Sequence, residues 1–311
     1  MGARRERQGT GEFVARELER AGCTVCALVG TRPETVEAAR ADLARRHGIE
    51  AQGYLDLPSL LAAEAPDVVA ICSPPETHLE LLELALAAGC HVYCEKPLVF
   101  DAAGDDAELI RRAEAAIERA RATGRLLGVN TQWPFTLAAF DALYPGGRAA
   151  PQTLRMWLTP DSGGARMVVD SASHVLSLAY ALVGPGELRG IAWTPHAEGP
   201  EGGALSFGYR HAAGELAVRL ELRRGATTPR PAGYAIDGQA VEREVELPDY
   251  RIRFVRPDGA RSDPADPLVA AVGDFVQGIR THRPTDVEAL KLGVGPYFQL
   301  VHATHREVSY G

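Results

Sequence analysis

The chain is short of cysteine, of positive charge and of long apolar runs, and each shortage rules out a class of protein. Five cysteines in 311 residues fit a reducing, cytoplasmic compartment rather than a disulfide framework. Lys and Arg number 33 against 41 Asp and Glu, a formal net charge of −8. That balance disfavours nonspecific binding to nucleic acid, and no stripe of aromatic and basic residues argues otherwise. No apolar run reaches about 18 residues and no cleavable signal pattern is visible, so the expectation is a cytoplasmic protein without a membrane segment. Internal repeats and low-complexity tracts are missing too. What is there, 46% apolar and 24% charged residues, is the make-up of a globular enzyme long enough for two domains.

A further shortage lies at the N-terminus. Gly2-Ala3-Arg4-Arg5-Glu6-Arg7-Gln8-Gly9-Thr10-Gly11 reads as a glycine-rich phosphate loop, several residues longer than G-x-G-x-x-G. A dinucleotide fingerprint needs a strand ahead of its first glycine, and only Met1 stands there. In the strand order 3-2-1-4-5-6 that strand is central; without it two neighbours face each other across roughly 10 Å, twice the usual spacing. The expectation is a chain that starts too late, through a misplaced start or a truncation, unless another segment fills the slot. Residues 12–21 then have helical periodicity, with Phe13, Val14 and Leu18 on one side.

Cys23 to Val29 reads as the next strand. Its Cys23-Thr24-Val25-Cys26 spacing puts the two thiols on opposite faces of a strand, which favours core thiols over a zinc or redox pair. At its end, where a carboxylate would bind ribose hydroxyls, stand Gly30, Thr31 and Arg32. An arginine there suits a 2′-phosphate and equally fits an exposed turn. Arg4, Arg5 and Arg7 could add to the same pocket, so NADP is favoured over NAD.

Helices over 34–47 and 57–65 alternate with a strand at Val68–Cys72, which ends in Ser73-Pro74-Pro75-Glu76-Thr77-His78 before a helix over 79–88. His78 fits a ligand contact or a local hydrogen bond. The stretch Cys90-His91-Val92-Tyr93-Cys94-Glu95-Lys96-Pro97-Leu98 organises the rest. A short buried strand, His91–Cys94, runs into a charged pair and a proline. Parallel strands deliver their chemistry at their carboxyl ends, and Pro97 turns the chain and bars Lys96 from helical conformation. A helix over 107–123 and a strand over 125–130 complete a doubly wound parallel sheet.

The second half reads as strands at 153–158, 188–193, 204–209, 215–222 and 241–247, joined by Gly/Pro-rich turns into one large, mainly antiparallel open sheet. Between the first two, Asp170-Ser171-Ala172-Ser173-His174 opens an apolar helix that stops at Gly184. Asp170 and His174, four apart, face the same way. Helices over 267–281 and 286–305 close the chain, and the expected domains are 1–130 and 131–311.

Glu95-Lys96-Pro97, the Gly11-Glu12-Phe13-Val14-Ala15 helix start, Ser73-Pro74 and Asp170-x-x-x-His174 together resemble the glucose-fructose oxidoreductase / inositol dehydrogenase / rhizopine-catabolism (Gfo/Idh/MocA) family over nearly the whole chain. The resemblance implies an N-terminal Rossmann domain that lacks its first strand here, and a C-terminal α+β domain whose sheet makes a homodimer or homotetramer. It implies an NAD(P)-dependent oxidoreductase acting on a hydroxyl or carbonyl of a sugar-like, cyclitol or secondary-metabolite substrate. Lys96, Asp170 and His174 take the catalytic positions. Gly2, Gly9, Thr10, Gly11, Thr31, Arg32, Ser73, Pro74, His78, Glu95 and Lys96 fall at the cofactor. Gln132, Trp133 and Arg166 fall at the substrate with Lys96, Asp170 and His174.

The chemistry of these residues agrees. Oxidising an alcohol carbon requires its hydroxyl proton to leave, to a base titrating near neutrality, and an ammonium stabilises developing alkoxide charge. His174 also fits a buried, hydrogen-bonded helix histidine. Relatives carry glycine where Ala172 stands, so its methyl is expected to crowd the ligand slightly. Gln132-Trp133 replaces an arginine of many relatives, and Trp133 fits an apolar wall or the core. A second reading stays open: a nucleotide-sensing or scaffold protein with little turnover on the same fold.

Overall fold

The computed structural model describes residues 10–197, 201–246 and 251–308, with side chains to 304. Gly2 and Gly9 lie outside the described residues. Alternating helical and extended segments build the first half: α1 (Thr10–Arg20), β1 (Ala27–Val29), α2 (Pro33–His47), β2 (Gln52–Tyr54), α3 (Leu57–Glu64), β3 (Val68–Ile71), α4 (His78–Ala87), β4 (His91–Cys94), α5 (Asp106–Ala122) and β5 (Leu127–Val129). The helix bounds follow local chemistry. Pro33 opens α2, and Gly48, left-handed at φ 68°, closes it by donating its N–H to Ala44 O. Asp56 caps α3 by accepting from Ser59 N at 2.7 Å.

All the strand pairs here are parallel, but they form two sheets, β1–β2 and β3–β4–β5. No strand among the described residues joins β1 to β3, so the division falls where the order 3-2-1-4-5-6 has its central strand. The expected strand over Cys23–Val29 is regular only at Ala27–Val29; among the described residues the preceding ones find no second strand to pair with. Val25 N instead donates to the Glu19 carboxylate at 2.6 Å. Cys23 and Cys26 therefore precede the strand, and burial pushes both thiols up.

The second half holds α6 (Leu137–Leu143), β6 (Thr153–Leu158), α7 (Arg166–Val183), β7 (Gly186–Pro195), β8 (Gly202–His211), β9 (Gly214–Arg223), β10 (Ala232–Ile236), β11 (Gln239–Glu246) and β12 (Arg251–Val255). After these come α8 (Pro267–Arg280), α9 (Val287–Leu292) and α10 (Gly295–Val308). The seven strands run in the order β12-β11-β10-β6-β9-β8-β7, antiparallel except for β6–β9. Two of them carried no alternating pattern to find: Ala-Gly-Tyr-Ala-Ile of β10 is buried at every residue, and β12 is an edge. The single helix expected over 286–305 is two, α9 and α10. α7 and α10 cover one face of the sheet, while Arg155, Arg219 and Glu221 lie exposed or half-buried on the other and pair with one another.

Against the expected domains 1–130 and 131–311, the residues after 131 are shared between two compact units. Residues 1–130 and 268–290 form one compact unit, and 131–267 with 291–311 the other. The cause is the apolar stripe of α8. Leu268, Val272, Phe275 and Val276 are buried with Val14 and Leu18 of α1 and with Tyr93 and Leu126. The Phe275 and Tyr93 rings stand 5.1 Å apart. Thr285 secures the segment, accepting from Leu127 N and donating to Arg125 O. Phe275→Ala is expected to cost about 3–5 kcal/mol and to raise amide exchange over 91–94 while leaving the seven-stranded sheet protected. Equal loosening of both units would mean that α8 is not a first-unit element.

Candidate active site

β4 ends at Cys94, and the chain leaves the sheet as Glu95-Lys96-Pro97 with a cis Lys96–Pro97 bond. Glu95 N still donates to Ile71 O at 2.8 Å. Beneath the pair, Tyr93 Oη donates to Asn130 Oδ1 at 2.9 Å and Asn130 Nδ2 donates to Glu95 Oε1. The amide thus has its orientation set from both ends. Burial holds the Glu95 carboxyl above its ordinary range, opposed by the Asn130 bond and the Lys96 charge. Burial likewise raises the Tyr93 hydroxyl and the Cys94 thiol. Asn130 was legible only as the end of a strand; its place beside Glu95 comes from the register of β4 and β5, in which Cys94 faces Val129.

His78, the first residue of α4, is fully buried. Its Nδ1 lies 2.7 Å from Pro97 O and its Nε2 2.9 Å from Ser73 O. Both ring nitrogens are engaged by the protein, which corrects the reading of His78 as a ligand contact. The Ser73 and Thr77 hydroxyls are 2.6 Å apart, and Thr77 Oγ1 donates to Pro74 O. Thr31 and Arg32 form the exposed turn after β1. Arg32 caps α2 with its main chain, and among the described residues its guanidinium has no hydrogen-bond or ion-pair partner. Thr10 is exposed at the start of α1 and Gly11 is buried. Glu12 in that first turn is also buried, bound by His47 Nε2 at 2.8 Å and Arg46 Nη1 at 3.3 Å. Arg32 follows β1, Ser73 follows β3 and Lys96 follows β4, each close to the carboxyl end of its strand.

The second unit presents one polar line. On α7 the residues from Met167 to Val175 are buried except Asp170 and His174, which with Arg166 and Ser177 form a half-buried stripe. Ser162 Oγ donates to Asp170 Oδ2 at 2.6 Å and Arg166 Nε to Oδ1 at 3.3 Å. Arg166 thus places part of its charge on Asp170. The Trp133 ring stands edge-on to the His174 ring, 6.4 Å between centroids, and also packs edge-on with Tyr234 and Phe254. It is a core residue that also walls one side of His174. Gln132 is half-buried beside it in the turn that enters the second unit. Ala172 is fully buried, so its methyl faces the core and does not crowd the stripe. Ser162, in the loop before α7, holds Asp170 although no motif marked it.

Comparison with known proteins agrees with this geometry. The class is a dinucleotide-binding Rossmann domain joined to a domain built on a large, mostly antiparallel mixed sheet. Residues 8–131 match the family model described as "Oxidoreductase family, NAD-binding Rossmann fold" (GFO_IDH_MocA), so the similarity to that family lies in the first domain. It is 37% identical over 95 residues to D-glucoside 3-dehydrogenase of Escherichia coli, covering 30% of this chain and 24% of that protein. It is 32% identical over 182 residues to inositol 2-dehydrogenase of Streptomyces avermitilis, covering 53% and 51%. The chain thus spans between about a quarter and a half of these relatives' lengths. Scyllo-inositol dehydrogenase from Lactobacillus casei, solved with NAD(H) and scyllo-inositol, shares the fold at a TM-score of 0.69 with 16% identity, covering 97% of this chain and 96% of that one.

The position of Glu95 makes a prediction with a definite sign. Its folded-state proton affinity exceeds the unfolded one, so it favours folding below the ordinary carboxyl value and loses that contribution as pH rises through the raised value. Glu95→Gln keeps an acceptor for Asn130 and removes the buried charge. Its thermal midpoint should exceed the wild type's by about 2 °C at pH 7, and the gap should close near pH 4. A lower midpoint at pH 7 would show that the pairing with Lys96 outweighs burial.

Proposed function

We propose that the chain is an NAD(P)-dependent oxidoreductase, with NADP favoured, acting on a hydroxyl or carbonyl carbon of a sugar-like, cyclitol or secondary-metabolite substrate. The observation that carries the reading is the α7 stripe: an imidazole and a carboxylate one turn apart, the carboxylate held at both oxygens, on a helix otherwise sunk in the core. A bound nicotinamide supplies the hydride acceptor or donor. Arg32, Ser73 and Lys96 would hold the dinucleotide, with Thr10 and Gly11 from the start of α1. His174 exchanges the proton of the substrate hydroxyl, Asp170 holds the substrate, and Lys96 steadies negative charge on the reacting oxygen. Trp133 keeps water from one side of the imidazole. The names of the relatives, which act on inositol and a glucoside, support the substrate class.

NADP is favoured because the turn after β1 offers an uncommitted guanidinium and no carboxylate. A homodimer or homotetramer through the seven-stranded sheet belongs to the same reading. The face away from α7 and α10 carries Arg155, Arg219 and Glu221, with Trp157 beneath the Arg155 guanidinium at 5.4 Å, the arginine and aromatic content of interfaces. A cytoplasmic location goes with it; among the described residues no helix is long and apolar enough to cross a membrane. The two-piece sheet of the first unit favours one other reading, a nucleotide sensor or scaffold with little turnover.

The test is NADPH binding by fluorescence, followed by NADPH oxidation over ketoses, keto-deoxysugars and imines. Lys96→Ala and His174→Ala should each lower turnover about 10²–10⁴-fold; unchanged turnover in both removes them from the chemistry. NADPH binding with no turnover of any substrate favours the sensor. Arg32→Ala should weaken NADPH binding about tenfold more than NADH binding, and equal losses would contradict the 2′-phosphate reading.

A further inference from the structure

The turns that follow β3 and β4 are poor in their own hydrogen-bond donors. Pro74, Pro75 and Pro97 contribute carbonyls and no N–H. Main-chain carbonyls left in such a place need a donor from elsewhere. Two of them, Ser73 O and Pro97 O, meet the same side chain, His78. The imidazole carries its two nitrogens on opposite edges of a rigid ring, so it reaches outward to both turns at once. It is fully buried and lies at the start of α4, where helix packing fixes its backbone. Donating to both carbonyls takes a proton on each nitrogen. Burial holds the imidazole below its ordinary value, against the two carbonyls and Glu76, which favour the doubly protonated form. With a single proton the ring donates to one carbonyl, and its place between the two turns rests on packing at the other.

We propose that His78 is a positioning residue that holds the Ser73 turn and the Lys96–Pro97 turn in register, so that the seat for the cofactor and the lysine that meets the substrate oxygen are set by one ring. Its catalytic consequence rests on the dehydrogenase reading above; its structural half does not. The Ser73 arm sets cofactor affinity, because the Ser73 hydroxyl and the Thr77 hydroxyl it meets ride on that turn. The Pro97 arm sets turnover, because Pro97 O belongs to the residue next to Lys96. A misplacement of about 1 Å of a catalytic group is enough to cost as much as 10²-fold.

Two amides separate the arms. The asparagine amide nitrogen is attached where Nδ1 is, so His78→Asn keeps a donor for Pro97 O and gives up Ser73 O. The glutamine nitrogen sits one atom further out, where Nε2 is, so His78→Gln keeps Ser73 O and gives up Pro97 O. The asparagine variant should raise the KM for the dinucleotide about tenfold with kcat within about twofold of wild type. The glutamine variant should lower kcat about tenfold with that KM within about twofold. Amide exchange without cofactor or substrate gives an activity-independent readout: His78→Asn should loosen 72–77 alone, and His78→Gln 94–100 alone.

That exchange split upholds the positioning role even if the wild type turns over no substrate, in which case the dehydrogenase reading alone fails. An active wild type whose two variants loosen both segments alike, or neither, overturns the positioning role and leaves the dehydrogenase reading standing. Loss of the folded state in both variants overturns it too, since the ring would then hold up the core rather than place two turns.

Discussion

A carboxylate buried at the end of β4 constrains the first unit more than any other group. Glu95 is carried into low-dielectric surroundings by a four-residue strand whose neighbours leave its backbone no freedom. An ionised carboxylate there needs donors and a countercharge. Asn130 meets the first need from the adjoining strand end, with Tyr93 fixing the amide, and Lys96 meets the second from the next position along the chain. A chain of polar contacts thus ties the Glu95 carboxylate to the register of three parallel strands.

The second unit meets the same requirement with a helix. α7 buries most of its surface, so the few polar side chains left in a line are also immobilised. Asp170 is held at both oxygens by Ser162 and Arg166, and His174 is bounded by the edge of Trp133. Each unit therefore presents preorganised polar groups whose supports lie within that unit, which is how sites are kept accurate when binding must not spend energy on ordering side chains.

Much of this was legible in the residues. β4 falls at His91–Cys94 as read from its apolar run and the charged pair behind it, and α2 stops at Gly48 as its C-cap glycine indicates. The Asp170/His174 pair lies on one side of α7 because four residues make about one helical turn. The misreadings share a cause. β1 is shorter than its apolar run, and among the described residues the ones before it find no second strand to pair with. His78 was ambiguous because a helix-start histidine carries no mark of the carbonyl 19 residues later that receives its Nδ1. β10 was missed because a strand buried on both faces shows no alternation.

The sequence by itself determined the parallel α/β first half, the mainly antiparallel second half and the residue types of the site. Those follow from periodicities and turn chemistry acting within a few residues. Tertiary structure decided that α8, from the far end of the chain, completes the first unit's core, and that Asn130, Ser162 and His78 support the groups the motifs had marked. These depend on which strands lie side by side and which helix covers them. A contact between residues distant along the chain is paid for by burial over a whole surface, and no local pattern records where that surface will close.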